Sequence, residues 1–130
     1  MKKIFLPLLS LLLSNPVQAQ SWEFVAVSNA GELYFIDPES IKRNNKETRF
    51  TQLSNHPNGF QYDSKVVYSI MTFRSTDCKQ GKYKSGFLFG YPELNAQGGI
   101  EVIDLKHDTK WISVKQESMA SFMQERVCNE

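Results

Sequence analysis

The residues of this 130-residue chain that could do acid–base or metal chemistry are its two histidines, His56 and His107. Each could pair with a nearby aspartate, and the candidates are Asp63, Asp104 and Asp108. A structural zinc site needs four ligands of this kind. However, His56 precedes a proline in a turn-rich stretch, and His107 lies in the polar run Lys-His-Asp-Thr-Lys. We therefore expect both histidines at the surface, with no metal site and no cofactor.

Nucleophilic and phosphate chemistry have no sequence pattern here. Serines are frequent, but none lies in the Gly-x-Ser-x-Gly pattern that positions a hydrolase nucleophile. The seven glycines are scattered and form no phosphate-binding loop. With 15 Lys+Arg and 14 Asp+Glu, the net charge is +1, which excludes binding of nucleic acid by bulk charge. We expect a protein that is not an enzyme and does not bind nucleic acid.

Residues 79–84 form a short basic and aromatic run, Lys-Gln-Gly-Lys-Tyr-Lys. Such a run could meet an anionic partner, for instance a cell-wall polymer or a glycosaminoglycan. Alternatively it is a solvated strand end, because lysines there discourage pairing with another sheet. Three or four lysines are also few for tight binding of a polyanion. The candidate contact face, for an unknown protein or glycan ligand, consists of Lys79, Lys82, Tyr83 and Lys84.

Residues 1–19 have the three parts of a secretory signal peptide. A Met-Lys-Lys start precedes a run, residues 4–13, that is apolar apart from one serine, and Val-Gln-Ala ends at Ala19. Ten residues are fewer than the ~20 that a membrane-spanning helix needs. We expect cleavage after Ala19, a mature domain over residues 20–130, and no cysteine near its start to carry a lipid anchor. The predicted location is the periplasm or the cell exterior.

The chain has two cysteines, Cys78 and Cys128. In an oxidising compartment, two cysteines most simply form one disulfide. The alternative is a reactive pair, but the spacing is not Cys-x-x-Cys and no histidine adjoins either residue. We predict a Cys78–Cys128 bond that clamps a C-terminal helix to a sheet.

The elements that must position these residues are strands, followed by one helix. Aromatic and β-branched runs at 22–27 and 33–36 flank an Asn-Ala-Gly turn and predict a hairpin. Asp37 is expected to cap a helical turn that begins at the following proline. Residues 47–53 predict a third strand, and His-Pro-Asn-Gly within 54–63 predicts a loop.

Two further strands and a shorter one follow. Residues 65–74 are apolar on both faces near their middle and predict a central strand. Residues 100–105 predict a short strand after a Gly-Gly turn. Between them, residues 82–91 predict a strand with four aromatic rings on one face, namely Tyr83, Phe87, Phe89 and Tyr91.

The last segment has a helical period. Capped by Ser118, it places an apolar stripe at i, i+3, i+4 and i+8, namely Met119, Phe122, Met123 and Val127. This stripe is expected to pack on the sheet. The predicted fold class is α+β, with about six antiparallel strands and a C-terminal helix on one face.

Several motifs follow one another in a characteristic order, namely Trp22, residues 34–41 (Tyr-Phe-Ile-Asp-Pro-Glu-Ser-Ile), Ser64-Lys65, Asp77-Cys78, Trp111 and the segment from Ser118 to Cys128. This order of residues resembles the surface-adhesin protein E family, small exported domains of Gram-negative bacteria. The resemblance spans nearly all of residues 20–130. It implies a curved antiparallel sheet whose concave face holds the helix through the disulfide. It also implies binding of host matrix and plasma proteins and a capacity to dimerise.

Two classes of function follow. In the first, the chain is a non-enzymatic exported binding protein, adhesin-like, that acts by contact with a host matrix or envelope protein. In the second, it is a small periplasmic inhibitor or envelope accessory protein, for instance against lysozyme. An inhibitor would present a protruding loop, for which residues 54–59 and 92–99 are the candidates. A homodimer is compatible with both.

Overall fold

The computed structural model describes residues 21–105 and 110–129. The predicted signal peptide and His107 lie outside these residues. The described part contains one α-helix, α1 (Met119–Cys128), and two 3₁₀ turns, Pro38–Ser40 and Leu94–Ala96. In the same part no helix is long and apolar enough to cross a membrane. The strands are β1 (Glu23–Val27), β2 (Leu33–Ile36), β3 (Lys42–Arg43), β4 (Thr48–Tyr62), β5 (Lys65–Asp77), β6 (Lys82–Tyr91), β7 (Val102–Asp104) and β8 (Ile112–Ser113).

The strands form one antiparallel sheet in the order β1-β2-β4-β5-β6-β7, with β3 paired to β4 and β8 paired to β6. The predicted α+β class, the β1–β2 hairpin and the central place of β5 are confirmed. Asp37 also caps its turn as predicted, since its carboxylate accepts a bond from the backbone N–H of Glu39 at 3.0 Å. β3 and β8 have only two residues each and were not predicted, because so short a run has no period.

β4 continues through the segment that was predicted to be a loop. It pairs with β5 up to Asn55, opposite Ser69, and again from Phe60, opposite Val67. Over this interval β4 advances five residues while β5 advances two, so β4 contains a bulge of several residues. The bulge takes up the His-Pro-Asn-Gly sequence without ending the strand. The prediction of a loop over residues 54–63 is therefore wrong.

The register of the central strands assigns their side chains to two faces. Phe50 of β4 lies opposite Arg74 of β5, and it packs in one core cluster with Ile36 and with residues of α1. We call this side of the sheet the helix face. Side chains alternate along a strand, so Phe73 and Ser75 of β5 point to the opposite side, the outer face.

A second bulge lies in β6. Arg74 lies opposite Ser85, whereas Thr72 lies opposite Leu88, so β6 has one extra residue between the two pairs. Gly86 occupies this bulge, where a Cβ atom would come within 2.8 Å of the backbone oxygen of Phe73. Any larger residue there would require the two strands to move apart.

This bulge reverses the alternation along β6. Tyr83 lies on the helix face, opposite Thr76, while Phe89, opposite Met71, lies on the outer face with Tyr91. The prediction that Tyr83 shares a face with the three other aromatic rings is therefore wrong. It assumed an unbroken period of two.

The C-terminal helix is confirmed, together with its cap, since the Ser118 hydroxyl accepts a bond from the backbone N–H of Ser121 at 3.2 Å. Its buried residues are Met123 and Val127, which are 2% and 0% exposed. Phe122 is 39% exposed, so its predicted place in the core is wrong.

Contacts of three kinds hold α1 at this rotation. The Arg126 guanidinium donates two bonds to the Glu23 carboxylate on β1, at 2.5 and 2.9 Å. The Gln124 amide donates to the Thr76 hydroxyl at 2.7 Å. The predicted disulfide joins Cys78, just after β5, to Cys128 at the helix end, with Cα atoms 5.8 Å apart. The sheet therefore holds the helix through an ion pair, a hydrogen bond and a covalent link.

Candidate functional site

The structure divides the predicted contact face between the two sides of the sheet. Lys84 pairs with Ser75 of β5, and Lys82 alternates with it, so both lie on the outer face. Tyr83, between them, points to the helix face. Lys79 lies in the exposed turn between β5 and β6. The lysines and the tyrosine thus do not form one surface.

On the outer face Lys84 lies against an aromatic ring. Its Nζ is 4.6 Å from the centroid of the Trp111 indole, which is within the ~6 Å range of a cation–π contact. Trp111 is 38% exposed and can still contact another molecule. A cavity of about 450 Å³ beside this pair is also bordered by Lys46 and Lys79, with the carboxylates of Glu47 and Asp77.

A second cavity, of about 640 Å³, adjoins Lys84 on the same face and is lined by Arg49, Phe73 and Phe87. Phe73 and Phe87 pack edge to face, with centroids 6.5 Å apart, and Phe87 is 46% exposed. Aromatic and arginine side chains are enriched at protein interfaces. We give the name Lys84 surface to six of the aromatic and basic residues that line these two cavities, namely Arg49, Phe73, Lys79, Lys84, Phe87 and Trp111.

Most of the Lys84 surface was not predicted from the sequence. Its members come from β4, β5, β6 and the segment before β8, and only the register of the sheet brings them together. The basic run at 79–84 was a partial signal. Nothing near Trp111 in the sequence links it to β6.

On the helix face, Tyr83 supports a largely buried arginine. The Arg74 guanidinium carbon lies 5.4 Å from the centroid of the Tyr83 ring. Its Nε and Nη1 donate to Gln52 Oε1 and Ser85 Oγ, both at 2.7 Å. Burial lowers the pKa of Arg74 from its ordinary value. Removal of this guanidinium from water is thus only partly compensated by neutral acceptors.

Tyr34 lies on the same face and donates its hydroxyl to Glu32 Oε1 at 3.1 Å. Burial of the phenol, together with this hydrogen bond, raises the pKa of Tyr34 to about 12. The phenol therefore stays protonated and acts as a donor across the physiological pH range.

His56 is buried, not exposed as predicted. It is 6% exposed because the bulge of β4 turns its ring inward. Its Nε2 lies 2.8 Å from Ser54 Oγ, and its Nδ1 lies 3.3 Å from Glu32 Oε2, an ion-pair distance without hydrogen-bond geometry. Serine, histidine and acid in this order resemble a nucleophilic triad. Ser54, however, is 5% exposed, so a substrate carbonyl has little access to its hydroxyl.

The remaining predicted chemistry is dispersed. His107 and Asp108 lie outside the described residues. Within residues 21–105 and 110–129, no three histidine, cysteine, aspartate or glutamate side chains are grouped as a metal site would require. Asp104 accepts a bond from the Tyr62 hydroxyl.

The first candidate inhibitor loop, residues 54–59, lies wholly within β4, and only Pro57 and Asn58 in it are exposed. Residues 92–99 are attached to the sheet, since Asn55 and Asn95 exchange hydrogen bonds at 2.8 and 2.9 Å. Neither segment is a free protruding loop.

Comparison with known proteins gives one family. The model of the surface-adhesin protein E family matches residues 22–129. Crystal form II of Haemophilus influenzae protein E is similar in structure, with a TM-score of 0.66 at 17% identity over 88% of this chain and 93% of that one. Another structure of this protein, from a non-typeable strain, has a TM-score of 0.62 at 20% identity over 88% and 80% of the two chains. No curated protein sequence matches the chain.

Proposed function

The chain belongs to the surface-adhesin protein E family, and from this premise we propose that it is an exported, non-enzymatic protein that binds another protein or a glycan. The family supports an adhesin-like role. The partner we propose is a component of the host matrix or of the bacterial envelope, held through the Lys84 surface. Export follows from the signal peptide expected over residues 1–19 and from the family's description as surface adhesins.

The observation that carries this proposal is the Lys84–Trp111 pair, a half-buried lysine against an exposed indole. A lysine over an indole presents a charge and a flat apolar ring at one point, a combination suited to acidic or glycan groups on a partner. The 4.6 Å contact limits the conformational freedom of both side chains. Groups that are already ordered lose less entropy on binding.

The two cavities on either side of Lys84 give this pair room to receive a partner. One adds Lys46 and Lys79, and the other adds Arg49 and exposed Phe87. Arg49 also pairs with Glu47 at 2.5 Å, so this arginine is held in place. The surface is thus basic at its rim and aromatic between its charges.

The absence of catalysis is part of the proposal. The Ser54–His56–Glu32 cluster is the best candidate for a nucleophilic site among the described residues, and its serine and histidine are almost wholly buried. The cluster fastens β4 to the start of β2, which is a structural role. The proposal therefore expects no hydrolysis that depends on His56.

The test is saturable binding of the purified protein to surfaces coated with host extracellular matrix extract or with envelope extract. We expect Lys84→Ala combined with Trp111→Ala to weaken binding at least about tenfold, as for loss of interface residues worth ~1.4 kcal/mol or more. Lys115→Ala is the matched control, because this exposed lysine lies beside the helix face. It should bind like the wild type.

Equal binding by the wild type and the double variant would refute the Lys84 surface as the contact site. Binding to neither extract would refute the adhesin-like role. The same preparations can be added to lysozyme with a cell-wall substrate. Inhibition by the wild type would favour the inhibitor function in place of the one proposed.

A further inference from the structure

A third cavity lies between the sheet and the start of α1, on the helix face. Its volume is about 420 Å³, within the ~300–1,000 Å³ of small-molecule sites. It opens on the helix face, whereas the Lys84 surface lies on the outer face, and Arg74 lines both this cavity and the one of about 640 Å³. Its lining residues come from β2, β4, β5, β6, β8 and the first turn of α1, and include Tyr34, Gln52, Arg74, Tyr83, Lys115 and Met119.

Arg74 is the chemical centre of this cavity. Two of its five N–H groups are used, on the neutral acceptors Gln52 and Ser85. No carboxylate in the described part of the chain forms an ion pair or hydrogen bond with it. A largely buried guanidinium without an acid is unfavourable unless a ligand supplies one. The fork of its remaining N–H groups matches the geometry of a carboxylate.

The other walls define the rest of the ligand. Lys115 adds a second positive charge at the rim, and none of the described residues that line the cavity is acidic. Tyr34 and Tyr83 offer ring surfaces, and Met119 and Ile112 add apolar contact. The first turn of α1 also borders the cavity, and its dipole adds modestly to the attraction for an anion.

From this arrangement we propose that the cavity binds a small carboxylate ligand that carries an aromatic or apolar group, with the carboxylate on Arg74 and the apolar group between Tyr34, Tyr83 and Met119. The inference does not depend on the proposed function, because it concerns a different site and a different class of ligand. The carboxylate can belong to a free acid or to the C-terminus of a peptide.

The probes are benzoate for a free acid and N-acetylphenylalanine for a peptide C-terminus, with benzamide as the neutral analogue of benzoate. We expect at least one of the two acids to raise the melting temperature of the purified protein in a saturable way, and benzamide to leave it unchanged. Calorimetric titration then gives the affinity. Lys42→Gln is the matched control, because this exposed lysine on β3 lies outside the cavity, and it should bind the acid as the wild type does.

Arg74→Gln should abolish the response. In case that variant fails to fold, Arg74→Lys keeps the charge but loses the fork, and should weaken binding about tenfold, as for one charge-assisted hydrogen bond. Lys115→Gln, at the exposed rim, should weaken it a fewfold and does not threaten the fold. The proposal is overturned if neither acid binds, if benzamide binds as well as benzoate, or if Arg74→Lys and Lys115→Gln both bind at full affinity. Binding of inorganic phosphate but of neither acid would also overturn it.

Discussion

At the scale of single residues, the fold changes the ionisation of Glu23, Tyr34 and Arg74 on the helix face and of Tyr91 on the outer face. Arg126 lowers the pKa of Glu23 through the hydrogen bonds described above. Burial raises the pKa of Tyr34 and of Tyr91. The partner can be distant or near in the chain, since Glu23 and Arg126 are 103 positions apart, whereas Tyr34 bonds with Glu32 two positions away. No local pattern in the sequence could have predicted the Glu23–Arg126 pair.

The pKa of Tyr34, about 12 in the folded protein, predicts a loss of stability in alkali. The unfolded phenol titrates near 10, so the folded state retains its proton over a range where the unfolded state loses it. The stabilisation is complete below pH 10 and disappears as the pH rises from 10 to 12. Urea unfolding across this range should show the fall, and Tyr34→Phe should show less of it.

The control for this prediction is Tyr68→Phe, since that ring is exposed. It should follow the wild type at each pH. An absorbance titration provides a second check, because Tyr34→Phe should remove one of the last phenols to ionise. If the titration curve is unchanged, the burial of Tyr34 described above is incorrect.

At the scale of elements, the sequence correctly predicted the turns, caps and helix that depend on neighbouring residues. The β1–β2 hairpin, the Asp37 turn and the Ser118-capped helix each depend on contacts within a few residues. The bulges of β4 and β6 depend on pairing with β5, and so the loop at 54–63 and the orientation of Tyr83 were predicted wrongly. The predicted surface position of His56 was wrong for the same reason, because the burial of this residue follows from the β4 bulge.

The rotation of α1 predicts unequal effects of two neighbouring substitutions. Met123→Ala removes a buried side chain from the cluster with Ile36 and Phe50, and should cost about 2–5 kcal/mol of unfolding free energy. Phe122→Ala changes a side chain that is 39% exposed and should cost less than about 1 kcal/mol. Chemical denaturation of both variants measures the difference. A larger loss of unfolding free energy for Phe122→Ala than for Met123→Ala would show that Phe122 is buried in the core.

At the scale of the whole molecule, the fold could be predicted more fully than the site. The disulfide, the antiparallel sheet and the helix followed from composition, period and family resemblance. The Lys84 surface and the Arg74 cavity could not be predicted, because each gathers residues from several strands through register alone. Lys84 and Tyr83 show this directly, since adjacent residues of one basic run belong to two different sites.

The disulfide is predicted to be a major part of the stability of the whole domain. Replacing both cysteines by serine should lower the unfolding free energy by ~2–5 kcal/mol. The double variant avoids a free thiol that could form dimers. Urea denaturation of this variant and of the wild type, with and without reductant, measures the loss. Identical midpoints, or two free thiols by mass spectrometry of the untreated protein, would contradict the pairing.

The same bond also determines how the domain would respond to mechanical tension. Cys78 and Cys128 are 50 positions apart, so a force applied at the two ends of the domain bypasses β6, β7, β8 and α1. Only the segment before Cys78 can lengthen while the bond is intact. The disulfide prevents the loop that it closes from being extended, which amounts to about 170 Å of contour length at ~3.4 Å per residue. A domain that holds a partner under flow would thus keep β6 and its helix folded while the segment before Cys78 is extended.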